Sequence, residues 1–175
     1  MTSREGDLVE LVTPDGQPAG STTVLAAHTA PGQLHRAFSV LLFDPDGRTL
    51  LQQRAAAKTR FPLRWANACC GHPGPGAPVA AAAATRLAEE LGVSGVTLTE
   101  VGRYTYRAAD PVTGLVEHEY DHVLVARVPA DLVIEPDPAE VARVEWVPGD
   151  TLLGVADGPN YAPWLAGVLP LALGH

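Results

Sequence analysis

Hydrophobic and polar positions follow one another in short runs along most of the chain, a pattern typical of β-strands. The segment DLVELVTPDGQPAGS predicts a strand, a Pro-Asp-Gly turn and a second short strand. HRAFSVLLFDPDGRTLLQQR predicts a hairpin of two strands around DPDG. Two further β-rich runs, VTLTEVGRYTYRA and EHEYDHVLVARV, are separated by the loop ADPVTGLV. We therefore expect strands to outnumber helices.

Three segments have the character of helices. VAAAAATRLAEELG is rich in alanine, a strong helix former, and predicts a helix that Gly92 ends. PAEVARVEWVPGDTLL predicts a short strand ending at Trp146 and then a helical turn. The tail PNYAPWLAGVLPLAL begins with loop residues and is expected to finish as a helix.

The remaining segments, AAHTAPGQLH and FPLRWANACCGHPGPGAP, contain proline and glycine and are expected to be irregular. Strands and helices alternate without the regularity of repeated βαβ units, which favours an α/β (α+β) fold with a mixed sheet flanked by helices. The chain of 175 residues shows no repeat and no low-complexity linker, so we expect a single domain over residues 1–175.

Composition indicates a soluble globular protein, since 46% of the residues are hydrophobic and 18% are charged. The start MTSREGDLVELV has no basic region leading into an apolar run, so a secretory signal is not expected. No stretch approaches the roughly 18 apolar residues of a membrane span. Two cysteines are too few for a secreted disulfide scaffold. These features predict a cytoplasmic protein without a membrane span.

The net charge of −8 argues against nucleic acid as the main partner. The charge is nevertheless uneven, because no acidic residue occurs between Asp46 and Glu89. The basic residues of that interval are Arg48, Arg54, Lys58, Arg60, Arg64 and Arg86. Two interpretations stay open: a solvated basic face, or a pocket for a small phosphorylated ligand on an acidic protein.

The stretch EHEYDH concentrates carboxylates on one side of a predicted strand. Because side chains alternate along a strand, Glu117, Glu119 and Asp121 share one face, and the two histidines and the tyrosine take the other. Carboxylates this close repel one another unless a cation or a basic group neutralises their charge. The stretch is therefore either a solvent-facing acidic edge or part of a site for Mg²⁺, Mn²⁺ or Zn²⁺.

Histidines in the predicted loops can add to such a site. His28, His35 and His72 are so placed, and together with two carboxylates they can complete an octahedral metal site. Cys70 and Glu119 can form an acid/base pair, since a thiol and a carboxylate each give or take a proton. The alternative for Cys70 is a small buried hydrophobic residue. Adjacent cysteines suit neither an ordinary disulfide nor C-x2-C zinc spacing.

Ordered motifs resemble those of the type I isopentenyl-diphosphate isomerases, a divergent branch of the Nudix fold. AAHT…LHRAFSVLLF, LLQQRAAAKTRFPLRWANACCGHP, EELG and EHEYDHV stand in the order and spacing of that family, from about residue 8 to Trp164. The resemblance implies a Nudix-type α/β/α sandwich. It also implies that isopentenyl diphosphate becomes dimethylallyl diphosphate through a 1,3-proton shift, with a carbocation-like species that must be shielded from water.

The same resemblance implies roles for single residues. Proton transfer would involve Cys70 and Glu119 on opposite faces of the substrate, with Tyr106 assisting. The ligands of the protein-bound metal (Mn²⁺, Mg²⁺ or Zn²⁺) would be His28, His35, His72, Glu117 and Glu119. A second Mg²⁺, bridging to the diphosphate, would be held by Glu90. The diphosphate of the substrate would contact Arg54, Lys58 and Arg86. Trp164 would lie beside the cationic intermediate and stabilise it with the face of its ring. The alternative for Trp164 is an ordinary core residue.

The Nudix box is degenerate, which disfavours hydrolysis. Laid from Gly71, the pattern G-x5-E-x7-R-E-U-x-E-E-x-G-U has Ala77 in place of a glutamate and Thr85-Arg86 in place of Arg-Glu. A Nudix diphosphohydrolase and a protein that binds or cyclises another prenyl diphosphate remain alternatives. Val24 stands where the family usually has a lysine, whose diphosphate contact Arg60 or Arg64 can replace. We expect a monomer or weak homodimer.

Overall fold

The computed structural model describes residues 4–175, so the first three residues of the predicted domain lie outside it. Strand β3 (His35–Phe43) is the centre of the fold and almost entirely buried. It pairs in parallel with β8 (Val116–Arg127) over nine residues, from His35↔Glu119 to Phe43↔Arg127. Strand β7 (Thr99–Ala109) continues the sheet antiparallel to β8. The sheet is therefore mixed, as the sequence predicts.

The other strands extend the sheet on both sides of this centre. The predicted N-terminal pair is formed by β1 (Leu8–Val12) and β2 (Pro18–Thr23). Strand β4 (Arg48–Arg54) pairs along its whole length with β9 (Val141–Pro148). The predicted hairpin of β3 and β4 is confirmed only next to its turn, where Phe43 pairs with Thr49. Beyond that pair each strand takes a different partner.

Helices cover both faces of the sheet. Helix α2 (Val79–Leu91) packs Leu87 and Leu91 against the side chains that β3 points to one face, and it ends at Gly92 with φ 68°, as expected. Helix α4 (Leu165–Leu173) covers the opposite face. Leu41 and Phe43 of β3 point toward α4, whereas their neighbours in β3 point toward α2. The fold is thus the predicted α/β/α sandwich.

Two predictions of irregular structure are wrong in part. Residues 26–28 belong to a short helix α1 (Val24–His28), because the Thr23 hydroxyl caps it by accepting from the amide of Ala26. The segment after Phe61 contains two short strands, β5 (Trp65–Ala66) and β6 (Cys69–Gly71). Sequence patterns miss strands this short, since they are formed by pairing with β4 and β3.

The expected helical turn after Trp146 and the C-terminal helix are confirmed. The first is α3 (Gly149–Leu153), which follows β9, and the second is α4. Within residues 4–175, none of the helices has both the length and the apolar character needed to cross a membrane.

A glycine sets the distance between α4 and the sheet. A methyl group at Gly167 would fall inside the ring of Tyr104 on β7, and that ring stacks on Tyr106 with centroids 5.6 Å apart. We expect Gly167→Ala to lower the free energy of unfolding by about 1–3 kcal/mol through overpacking. Urea unfolding followed by far-UV circular dichroism measures the change.

The matched control is Gly154→Ala, where the added methyl group meets no atom closer than 3.8 Å. We expect this variant to keep the stability of the parent chain. A Gly167→Ala variant as stable as the parent would contradict the close packing of α4 on β7.

Candidate active site

A cavity of about 400 Å³ opens between the sheet and the N-terminal 3-10 helix Arg4–Gly6. One part of its wall carries groups capable of proton transfer, and the other carries basic side chains. The residues of the first part are Cys70, His72, Tyr106, Glu117, Glu119 and Trp164. They come from β6 and the residue after it, from β7 and β8, and from the segment before α4. The predicted acid/base residues therefore face one space.

Three histidines and one carboxylate meet beside this cavity. The parallel register places His35 next to Glu119, and α1 and the segment after β6 bring His28 and His72 to them. The ring Nε2 atoms of the three histidines lie 3.7, 3.6 and 2.8 Å from Oε1 of Glu119, for His28, His35 and His72 respectively. All four ligand atoms fall within 4.8 Å of one another.

Backbone hydrogen bonds fix the rings of two of these histidines. The Nδ1–H groups of His28 and His35 donate to the backbone oxygens of Val24 and Gln33 at 2.7 and 2.8 Å. Such bonds leave Nε2 as the ligand atom. The Nε2 atom of His35 is buried without a hydrogen-bond partner, although it faces a carboxylate. The residues present therefore fit a divalent cation.

The pKa values in this cluster follow from burial and from the central carboxylate. Burial lowers the pKa of His28, but the hydrogen bonds to Glu117 and Glu119 outweigh it and raise the pKa to about 9. Burial lowers the pKa of His72 to about 4 despite its bond to Glu119. Burial raises the pKa of Glu119, yet the three histidines hold it well below its usual range. A proton on His28 thus balances charge that a cation would otherwise neutralise.

Glu117 and Glu90, the other predicted metal ligands, do not belong to the group of four, although Glu117 contacts one of its histidines. Oε2 of Glu117 is 2.9 Å from Nε2 of His28, and its Oε1 is 3.3 Å from Nε of Arg60. Glu90 is buried on α2, where it accepts hydrogen bonds from Gln52 and Arg86. Glu117 borders the cluster, and Glu90 belongs to the basic wall.

The two adjacent cysteines have opposite surroundings. Cys69 is buried in the core beneath α2, whereas Cys70 lines the cavity. The thiol of Cys70 donates to Oδ1 of Asn67 at 3.3 Å, and its sulfur is 3.6 Å from the Ser39 hydroxyl. Burial raises the pKa of Cys70 to about 12, and the nearby Asp121 adds to the effect. The thiol is therefore protonated at neutral pH.

Tyr106 connects the carboxylate to the aromatic side of the cavity. Its register partner on β8 is Glu119, and its hydroxyl donates to Oε2 of Glu119 at 2.8 Å. Burial raises the pKa of Tyr106 well above its usual range, and the charge of Glu119 adds to this. The Tyr106 ring lies 6.0 Å from that of Trp164, whose indole N–H donates to Asn67. Trp164 is thus both a core residue and a cavity wall.

The interval between Asp46 and Glu89, which contains no acidic residue, supplies most of the basic side chains in the cavity wall. Four of its six cations, namely Arg54, Lys58, Arg60 and Arg86, line the cavity. Lys58 pairs with Glu140, and Arg86 pairs with Glu140 and Glu90. Arg54 donates to the backbone oxygens of residues 60 and 61 and lies 5.4 Å from the ring centroid of Trp164.

Val24 stands where the family usually has a lysine, and only one of the two arginines suggested to replace that lysine lines the cavity. Val24 lines the cavity at the start of α1, and Arg60 does too, already paired with Glu5 and Glu117. Arg64 lies outside the cavity lining that the described residues form.

Two polar residues of the site escape the sequence analysis. Asn67 links Cys70 to Trp164, and its position three residues before Cys70, in the quoted segment that ends in NACCGHP, is a signal that could have indicated it. The Ser39 hydroxyl donates to Asp121 at 2.7 Å and faces Cys70. Nothing in the local pattern of β3 marks Ser39, because its neighbours are defined only by the register with β6 and β8.

Solved structures show the same fold in proteins of low sequence identity. DR0079 from Deinococcus radiodurans aligns with a TM-score of 0.74 at 19% identity, covering 94% of this chain and 98% of that one. A MutT protein from Methanosarcina mazei Go1 aligns with a TM-score of 0.61 at 14% identity, covering 78% and 91%. These similarities concern the fold alone.

Sequence comparison defines the family. The NUDIX domain model matches residues 33–168. The isopentenyl-diphosphate Delta-isomerase of Nocardia farcinica is 61% identical over 94% of this chain and 93% of its own length. The protein of the same name from Streptomyces coelicolor is 48% identical over 96% of this chain and 84% of its own length. The chain therefore belongs to the Nudix superfamily and, within it, to the isopentenyl-diphosphate Delta-isomerase family.

Proposed function

We propose that the chain interconverts isopentenyl diphosphate and dimethylallyl diphosphate by a metal-dependent 1,3-proton shift, as a step of isoprenoid biosynthesis. Relatives that are 61% and 48% identical to this chain bear the isomerase name. The observation that carries the proposal is that the Cys70 thiol and the Glu119 carboxylate face one cavity, which also has a basic wall. Proton transfer at one end and anion binding at the other are what this substrate requires.

The two proton-transfer groups start in complementary states. Cys70 is protonated because burial raises the pKa of its thiol to about 12, and Glu119 is ionised because the histidines lower its pKa. We infer that Cys70 first gives its proton to C4 of the alkene and that Glu119 then takes one from C2. The double bond then moves from C3–C4 to C2–C3. In the reverse direction the roles exchange, and Tyr106 can help to deliver the proton held at Oε2 of Glu119.

The species between the two proton transfers is a tertiary carbocation. Trp164 and Tyr106 form an aromatic wall on the cavity, and the face of an indole ring attracts a nearby cation. Trp164 itself is buried, so this wall also keeps water away from the reacting carbons. We infer that Trp164 lowers the barrier by stabilising this charge.

We infer that His28, His35, His72 and Glu119 hold a divalent cation, Mn²⁺, Mg²⁺ or Zn²⁺, with Glu117 as a fifth ligand after a small shift. A bound cation would supply positive charge that tunes the proton affinity of Glu119. Glu90 would hold a second Mg²⁺, which would supply positive charge for the diphosphate. The diphosphate itself would contact Arg54, Lys58 and Arg86, which belong to the basic part of the cavity wall.

We also infer one domain over residues 1–175, a monomer or weak homodimer, and a cytoplasmic location. Its partner is then the small prenyl diphosphate, with neither nucleic acid nor a membrane involved. These proposals rest on the composition and on the bacterial relatives named above.

Replacing the two cysteines separately tests the mechanism. We expect Cys70→Ala to slow isomerisation by about 10²–10⁴-fold, since it removes a general acid. The matched control Cys69→Ala changes a core residue and should keep the parent rate. The assay incubates isopentenyl diphosphate and Mg²⁺ in D₂O and follows deuterium in dimethylallyl diphosphate by NMR.

An active Cys70→Ala variant would exclude the proposed role of this thiol. Glu119→Gln should also be inactive, because an amide cannot accept the proton from C2. Release of inorganic phosphate instead of isomerisation would indicate a Nudix hydrolase, the function that the degenerate box disfavours.

Metal binding is tested on protein from which a chelator has removed any bound metal. We expect His35→Ala to weaken binding of Mn²⁺ or Zn²⁺ by about 10–100-fold or more, because it removes a ligand. In the parent chain the affinity should rise with pH up to about 9, since the cation must displace the proton of His28. Isothermal titration calorimetry gives both results.

The control for this experiment is His118→Ala. His118 alternates with Glu117 and Glu119 on β8 and its ring contacts the backbone oxygen of Gly32, away from the cluster. Equal metal affinity in the His35 and His118 variants would contradict the proposed ligand set.

A further inference from the structure

We propose that Arg4 binds the diphosphate of the substrate together with Arg86, in the place that the carboxylate of Glu89 takes when no substrate is bound. The inference rests on the proposed function and adds a residue to its binding site. Arg4 belongs to the 3-10 helix Arg4–Gly6, outside the residues that the NUDIX model matches.

Arg4 and Arg86 share one acceptor. Nη2 of Arg4 and Nη1 of Arg86 both donate to Oε2 of Glu89, the second at 2.8 Å. Both side chains also line the cavity. Two guanidinium groups that reach the same anionic oxygen are arranged as a phosphate oxygen requires, because arginine donates in pairs to carboxylates and phosphates alike.

Of the three carboxylates paired with Arg86, Glu89 is the one that can leave at little cost. Its side chain is 43% exposed, whereas those of Glu90 and Glu140 are only 2% and 8% exposed. Glu90 and Glu140 are enclosed with Lys58 and Arg86, so neither can turn out into water in the way that Glu89 can. Glu89 can rotate into water, which hydrates its charge fully.

Repulsion between anions favours this exchange. The three cations Arg4, Lys58 and Arg86 already face four carboxylates, namely Asp7, Glu89, Glu90 and Glu140. A diphosphate carries more negative charge than one carboxylate and offers more acceptor oxygens, so it gains more from the two guanidinium groups. Displacing Glu89 removes the repulsion that a second anion would meet at this point.

The backbone that carries Arg4 is already fixed to the cavity wall. The next residue, Glu5, accepts hydrogen bonds from the Thr59 hydroxyl at 2.9 Å and from Nη1 of Arg60 at 3.0 Å. The backbone at Arg4 is therefore held beside the cavity before substrate arrives. This reduces the conformational entropy that Arg4 loses when it binds the diphosphate. The N-terminal segment then becomes one wall of the occupied site.

The experiment compares Arg4→Ala with the parent chain. We expect KM for isopentenyl diphosphate to rise by about ten-fold or more, the effect of losing a hydrogen bond to a charged group, with kcat little changed. The dissociation constant of inorganic diphosphate with Mg²⁺, measured by calorimetry, should rise by a similar factor. Arg4→Lys keeps the charge and should recover part of the loss.

Arg103→Ala is the matched control, since Arg103 is also exposed and pairs with a carboxylate, Glu100, at 2.8 Å. It should leave KM unchanged. Glu89→Gln distinguishes substrate binding by Arg4 from a purely structural role of Arg4. It removes the carboxylate charge that competes with the diphosphate, and it weakens the ion pair that holds Arg4 to α2. If Arg4 binds substrate, KM for this variant stays equal or falls.

A rise of KM in Glu89→Gln, similar to that in Arg4→Ala, would show that Arg4 only anchors the segment and would overturn the inference. An unchanged KM in Arg4→Ala would do the same. If the parent chain fails to isomerise but binds diphosphate more tightly than Arg4→Ala, the proposed function fails while this inference stands.

Discussion

The parallel pairing of β3 with β8 is the constraint on which the site depends. It sets His35 beside Glu119, and the antiparallel pairing of β7 on the other side of β8 sets Tyr106 beside the same carboxylate. A shift of one residue would turn the whole acidic face of β8 away from the cavity. The apolar residues that follow in both strands resist such a shift, because it would expose part of the core.

This arrangement concentrates charge in a buried place. Carboxylates, imidazoles and guanidinium groups are enclosed together, and several of them pair with one another. Buried ionic groups of this kind add little to stability and lose much when one partner is removed. The two hydrophobic clusters on either face of the sheet therefore supply the stability that the polar centre does not. The fold tolerates the site because the site lies at the end of the sheet.

Local patterns predicted much of the fold. The alternation in EHEYDH correctly placed Glu117 and Glu119 on one face, and the alanine-rich run ending at Gly92 correctly predicted α2. The family resemblance added the candidate roles of residues, which remain predictions. Local patterns could not show that β3 leaves β4 for β8, since pairing between distant segments depends on the whole core. For the same reason they could not indicate Ser39 or the approach of Arg4 to Arg86.

The two adjacent cysteines lie on the three-residue strand β6, whose pairing decides which way each side chain points. Because β6 pairs with β3, Cys69 and Cys70 must point to opposite faces, one into the core and one into the cavity. Their sulfurs cannot approach each other unless this pairing breaks, so the couple is not a ready disulfide. Reaction with oxidants requires the thiolate, which the burial of Cys70 suppresses. The environment that keeps this thiol protonated thus also disfavours the thiolate through which oxidants would react.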